Sequence, residues 1–128
     1  MGGLTALADT SVLIGSMEVV DPEKDGTWAV SVVTVGELHA GVLVSPHGPT
    51  QAGRLQRLSD VLSITAVIDV DRSVAVAYGE LRMTSGRRPS NDLWIAATAL
   101  AHDLELVTMD ERQAALPLVR CTLIAAGL

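Results

Sequence analysis

The sequence predicts an α/β domain built on a central, mostly parallel sheet of about five strands, with helices on both faces. Short aliphatic runs, Leu4–Ala8, Ile64–Val70 and Leu104–Thr108, alternate along the chain with longer stretches that carry apolar residues at helical spacing. Hydrophobic residues make up 48% of the 128 positions and are spread over the whole chain, so a single domain over residues 1–128 with one sizeable core is expected. No internal repeat, low-complexity tract or long linker divides it.

Leu4–Ala8 is mostly apolar and ends at Asp9, as a buried first strand would. Thr10–Met17 then reads as a short helix capped by Asp9 or Thr10. A polar, acidic loop, Glu18–Gly26, leads to a second strand at Trp28–Ser31. Thr34–Val44 has helical spacing, with Leu38 and Val42 on one side and Val35 completing the stripe. Gly48 and Pro49 break the chain before a helix from Thr50 to Leu62, rich in Arg and Gln on one face. The β-branched run Ile64–Val70 predicts a third strand, and Asp71 caps a helix to about Thr84. Ser85–Pro89 forms a basic turn, and Ser90 or Asn91 caps a helix from Asp92 to His102. Leu104–Thr108 is the fourth strand, Asp110–Leu116 a short helix or turn, and Val119–Leu123 the fifth strand.

Composition excludes several classes. No apolar run reaches the ~18 residues of a membrane-spanning helix. The opening stretch has no basic region, and Asp9 interrupts its apolar run, so a secretory signal is not expected. Cys121 is the only cysteine, which rules out an internal disulfide and fits the reducing cytoplasm. Phe is absent, so the core must come from Val, Leu, Ile and Ala. A net charge of −6 argues, taken naively, against a nucleic-acid partner. Two bound divalent cations would bring −6 to −2, however, and eight of the nine basic residues are Arg, the better phosphate reader.

Four acids, Asp9, Glu37, Asp92 and Asp110, stand where the chain passes between strand and helix or just inside a helix. Alone, Asp9 and Asp110 are ordinary helix caps, Asp92 suits the positive end of a helix dipole, and Glu37 suits a solvated helix face. In a parallel sheet, ligands bind beyond the C-terminal strand ends, where Asp9 and Asp110 should sit. If the four converge, each like-charged pair at ~4 Å would cost about 4 kcal/mol at an effective dielectric near 20. A fold keeps such a cluster only with something positive inside it, and hard carboxylate oxygens suit Mg²⁺ or Mn²⁺. His39, His47 and His102 lack metal-ligand spacing and read as surface or loop residues. Trp28 reads as core, and Trp94 as core or interface; aromatics at 2% leave no stacking platform for single strands. Arg82, Arg87 and Arg88 precede Asp92 closely and are candidates to hold an RNA backbone, a solvated turn being the plain alternative.

ALADTSVLIG, SVVTVGELHAGV and NDLWIAATALAHDLELVTMDE resemble, in order and spacing, the signature blocks of PIN-domain ribonucleases, above all the VapC-type toxins of bacterial toxin–antitoxin pairs. The matching positions are Asp9 with Thr10 and Ser11; Ser31, Thr34, Glu37 and Leu38; Asp92 with Ile95, Ala96 and Ala97; and Thr108 with Asp110. One departure is the absence of the phenylalanine that often follows the fourth acid, whose place Leu116 is expected to take. The resemblance implies a Mg²⁺-dependent (or Mn²⁺-dependent) endoribonuclease toxin acting on structured or translation-related RNA. Asp9 and Asp92 would bind metal directly, with Glu37 and Asp110 as ligands or as holders of bound water. Thr10, Ser11 and Thr108 would orient carboxylates or contact phosphate. A cognate antitoxin would mask the site, sending a basic side chain toward the acids and covering an apolar groove. A homodimer is also implied, for which the helices Thr34–Val44 and Thr50–Leu62 offer surfaces. The competing readings are a catalytically silent PIN-like binding module and a phosphoacceptor receiver domain. A receiver needs a lysine at a late strand end, and the only lysine is Lys24.

Overall fold

The computed structural model describes residues 3–15 and 27–124; the expected loop Glu18–Gly26 and the end of the first helix at Met17 lie outside them. The strands are β1 (Leu4–Ala8), β2 (Thr27–Ser31), β3 (Ala66–Ile68), β4 (Glu105–Thr108) and β5 (Cys121–Leu123). They form a five-stranded sheet in the order β3-β2-β1-β4-β5, and every neighbouring pair is parallel. The helices are α1 (Thr10–Gly15), α2 (Val32–Leu43), α3 (Pro49–Ile64), α4 (Arg72–Ser85), α5 (Ser90–Ala101) and the single turn α6 (Glu111–Ala114).

Because successive strand residues point to opposite faces, the sheet divides the core in two. Leu7, Ala29 and Leu106 pack with Val74, Ala77 and Leu81 of α4 and with the buried face of α5. Their sequence neighbours Ala6, Ala8, Val30 and Val107 pack on the other side with Val12 and Leu13 of α1 and Val61 of α3. Val35 and Leu38 of α2 complete that second layer, and Trp28 is buried in it. The helices therefore cover both faces, as expected.

Several element ends differ from the sequence reading for local reasons. Ser31 is at once the last residue of β2 and the cap of α2, its Oγ accepting from the Val33 amide at 3.0 Å, so α2 starts two residues before Thr34. Ile64 belongs to α3 and not to a strand; β3 begins only at Ala66, after the Thr65 hydroxyl bonds back to the Val61 carbonyl. Asp71 caps α4, accepting from the Val74 amide at 3.0 Å and the Ser73 hydroxyl at 2.8 Å. Gly86, at φ +69, turns the chain out of α4 where a side chain would be strained. The residue that caps α5 is Pro89, without a side-chain bond; Ser90 and Asn91 are already helical. The Ser90 hydroxyl is engaged instead by Arg82 at 3.1 Å.

Leu81 is fully buried where α4 packs on α5, so Leu81→Ala should destabilise the fold by about 2–5 kcal/mol, read as a lower urea midpoint at unchanged m-value. The Asp71 carboxyl is held below its ordinary range, first by the Val74 amide and then by the Ser73 hydroxyl. Its stabilising contribution is complete above the unfolded-state value and is lost as pH falls through the lower folded-state value. Asp71→Ala should therefore lower Tm at neutral pH, with the gap to wild type closing in acid.

Candidate active site

The strand order reverses between β1 and β4, which is where a doubly wound sheet opens a crevice at its C-terminal edge. Asp9 stands at that point. Its amide donates to the Val107 carbonyl at 3.0 Å, adding one rung beyond the β1–β4 ladder before α1 begins. Its side chain is buried and fully engaged: Oδ1 accepts from the Ser11 amide at 2.9 Å and the Ser11 hydroxyl at 2.5 Å, and Oδ2 from the Thr108 hydroxyl at 2.6 Å. Those hydroxyls are themselves fixed, Ser11 Oγ accepting from the Met109 amide at 2.9 Å and Thr108 Oγ1 from the Asp110 amide at 3.0 Å. Asp9 is thus the cap that the plain reading expected, and it is also bound into the β4 end across 99 residues of sequence.

Glu37 reaches the same end from α2. The Thr10 hydroxyl donates to Glu37 Oε1 at 2.6 Å and lies 3.1 Å from the buried Thr34 hydroxyl. Thr10 therefore couples the start of α1 to the middle of α2. Asp110 caps α6, accepting from the Arg112 amide at 2.9 Å. Asp92 lies in the first turn of α5, half-buried and without a side-chain hydrogen bond among the described residues. Its carboxyl is pushed above the ordinary range, first by burial and then by the charges of Asp110, Glu37 and Asp9, against an opposing pull from Arg112. The acids at the ends of β1 and β4 and in α2 thus all lie near enough to Asp92 to oppose its ionisation, with burial the larger effect.

Among the described residues, no three acidic, histidine or cysteine side chains already surround a point as a metal cage. Both Asp9 oxygens, one oxygen of Glu37 and one of Asp110 are turned toward hydroxyl or amide donors instead. The donor chemistry nevertheless fits a hard divalent cation. Each carboxylate oxygen accepts about two hydrogen bonds or metal contacts, so lone pairs remain, and Asp92 has no side-chain hydrogen bond among the described residues to occupy its own.

The three arginines singled out from sequence separate here. Arg82 makes four hydrogen bonds within the chain: two to the Tyr78 hydroxyl, at 3.3 and 2.8 Å, one to the Arg88 carbonyl at 3.1 Å and one to Ser90 Oγ at 3.1 Å. It braces the turn before α5, and Trp94 stacks on Tyr78 with ring centroids 3.8 Å apart. Arg88 donates to the Arg112 carbonyl. Arg87 is exposed and makes no hydrogen bond or ion pair among the described residues. His39 and His102 are exposed, and His47 meets only Gln51, so none of the three approaches the acids. Leu116 is buried in the core, as expected of the residue replacing a phenylalanine.

Two neighbours of Asp92 escaped the sequence reading. Arg112 acts on its charge, and Gln113, buried with 3% exposure, donates from Nε2 to the Asp92 carbonyl at 2.8 Å. A long polar side chain in a short polar turn carries no pattern that foretells either role; only adjacency to Asp110 could have pointed there.

The PIN domain family profile matches residues 6–118. This chain belongs to the PIN-domain family. It is 41% identical over 119 residues to Ribonuclease VapC4 of Mycobacterium tuberculosis, covering 88% of this chain and 91% of that protein. It is 37% identical over 118 residues to Ribonuclease VapC5 of the same bacterium, covering 84% of each. Its fold superposes on the crystal structure of VapBC-5, a member of the VapBC family of toxin–antitoxin systems from M. tuberculosis. That match has a TM-score of 0.78 at 35% identity and covers 94% of this chain and 98% of that one. The PIN domain here is accordingly of the VapC kind.

The raised Asp92 value carries a sign. In the metal-free PIN domain the ionised form opposes folding above that raised value, and the protonated form, present below the ordinary value, does not. Asp92→Asn should therefore raise Tm in EDTA at neutral pH, and the gain should vanish in acid, as read by differential scanning calorimetry.

Proposed function

We propose that this PIN domain, taken over residues 1–128, is a Mg²⁺-dependent endoribonuclease and the toxin of a toxin–antitoxin pair, with structured or translation-related RNA as substrate. The observation that carries the reading is the hydrogen-bonded gathering at the sheet's switch point. There Thr108 joins Asp9 to Asp110, Thr10 holds Glu37, and Gln113 ties the turn after Asp110 to Asp92. Relatives named as VapC ribonucleases support it. Asp9 and Asp92 would hold the cation directly, with Glu37 and Asp110 holding it directly or through bound water. Bound there, Mg²⁺ (or Mn²⁺) would neutralise the non-bridging phosphate oxygens, lower the pKa of the attacking water and stabilise the departing 3′ oxygen.

The chain's own residues prepare that chemistry. The Ser11 and Thr108 hydroxyls fix the Asp9 carboxyl in place, and the Thr10 hydroxyl does the same for Glu37. Of the three arginines expected to contact the RNA backbone, Arg87 is exposed and would do so, and exposed Arg112 would join it. Arg82 instead serves the turn, and Arg88 is engaged with the Arg112 carbonyl. Attack by water and not by the ribose 2′-hydroxyl leaves a 5′-phosphate and a 3′-hydroxyl.

The antitoxin would occupy the apolar groove of about 360 Å³ between α1, α2 and α3. Leu13, Leu38, Val42 and Leu58 line it, and Glu37 stands in its wall ready for a basic side chain. Leu43, Val44 and Leu55, exposed on or just beyond α2 and α3, supply apolar surface for a homodimer. A cytoplasmic location suits an RNA substrate; among the described residues no helix is long and apolar enough to cross a membrane.

Purified, antitoxin-free protein incubated with total cellular RNA and Mg²⁺ should yield discrete fragments bearing 5′-phosphates. EDTA or Asp92→Asn should abolish them, and Thr108→Val, which removes a hydroxyl from Asp9, should cut activity by about 10–100-fold. Metal-loaded, folded protein that cleaves nothing would favour the silent binding module instead.

A further inference from the structure

Asp92 and Asp110 come from different elements, so something must set the distance between them. Asp110 caps α6, and its carbonyl accepts from the Ala114 amide at 3.0 Å, so acid and helical turn move as one piece. That piece is fastened to the start of α5 by two hydrogen bonds. One runs from Arg88 to the Arg112 carbonyl, and the other from Gln113 Nε2 to the Asp92 carbonyl at 2.8 Å. Only the amide nitrogen of Gln113 can face a carbonyl oxygen, so the orientation of the amide is chemically determined.

The bond to Asp92 is not needed to complete α5. A carbonyl in the first helical turn is ordinarily satisfied by the amide four residues on, and its second lone pair leaves room for another donor. The buried Gln113 amide satisfies its donor on this carbonyl, and the residue whose backbone it thereby ties to α6 is an acid of the site. Leu116, buried in the core beyond the same turn, anchors α6 from its other end.

We infer that Gln113 is a positioning residue: its amide sets the spacing of Asp92 and Asp110 and biases the site toward Mg²⁺ over larger cations. The inference rests on the reading of these acids as cation ligands. Mg²⁺ demands near-ideal octahedral geometry at about 2.0–2.1 Å, whereas Ca²⁺ accepts irregular shells at about 2.3–2.6 Å. Loosening one pair of acids should therefore penalise Mg²⁺ selectively.

The test is calorimetric titration of the metal-free full chain with MgCl₂ and, separately, CaCl₂, for wild type, Gln113→Met and Asp92→Asn. Gln113→Met keeps the volume and removes the donor. It should retain the wild-type circular dichroism spectrum, lose about tenfold in Mg²⁺ affinity and change less than about threefold toward Ca²⁺. Equal losses for both ions, or wild-type affinities for both, would overturn the proposal. Mg²⁺ binding unchanged in Asp92→Asn would instead overturn the underlying reading of the acids. If Gln113→Met does not fold, Gln113→Asn, whose shorter amide falls short of the carbonyl, should show the same selective loss. A chain that folds with neither replacement assigns Gln113 to folding alone and refutes the positioning role.

Discussion

Like charges gathered at one end of a parallel sheet repel one another, and the architecture around that end is organised by this repulsion. Asp9, Glu37, Asp92 and Asp110 arrive from the ends of β1 and β4 and from α2 and α5. None is neutralised by an ion pair among the described residues; Asp103 with Arg120, far along the chain's surface, forms the only such pair there. Donors are supplied instead by hydroxyls and backbone amides, which orient the carboxylates of Asp9, Glu37 and Asp110 without adding a positive charge. Asp92, which has no such donor, is pushed above the ordinary carboxylate range first by burial and then by the neighbouring acids. In the proposed reading a cation would take up the lone pairs that these donors leave free.

The rest of the fold serves this end of the sheet. Placing β4 beside β1 lets one hydroxyl from β4, that of Thr108, reach the acid that follows β1. The packing of α4 against α5 sets the start of α5, and the bonds from Arg82 to the Arg88 carbonyl and the Ser90 hydroxyl hold the turn that leads into it. α6, a single turn, carries Asp110 and returns through Gln113 to the backbone of Asp92. The separation of labour is plain in the two core layers. α4 and α5 build the layer that supports Asp92, and α1, α2 and α3 build the one that supports Asp9 and Glu37.

Much of this was legible in the sequence where the signal is local. Buried strands such as Leu4–Ala8 and caps such as Asp71 announce themselves through apolar runs and short-range hydrogen bonding. The four acids were legible through the residues around them: the hydroxyls of Thr10, Ser11 and Thr108 stand beside the acids in the sequence and bond to them in space. Ile64 was misread because β-branched residues favour strands only weakly, and α3 runs two residues past the expected end at Leu62. Ser90 was misread as a cap because its hydroxyl is claimed from α4 by Arg82. The role of Gln113 depends on a partner brought near by the fold, Asp92, 21 residues away, so no local pattern encodes it.

The measurement that tests the central claim most directly is anomalous diffraction from crystals of this protein grown with Mn²⁺ in place of Mg²⁺. The account predicts a Mn²⁺ peak ligated by Asp9 and Asp92, with Glu37 and Asp110 bound directly or through water, and its loss in Asp92→Asn. A well-ordered crystal saturated with Mn²⁺ that shows no peak among these carboxylates, or a peak held elsewhere, would contradict it.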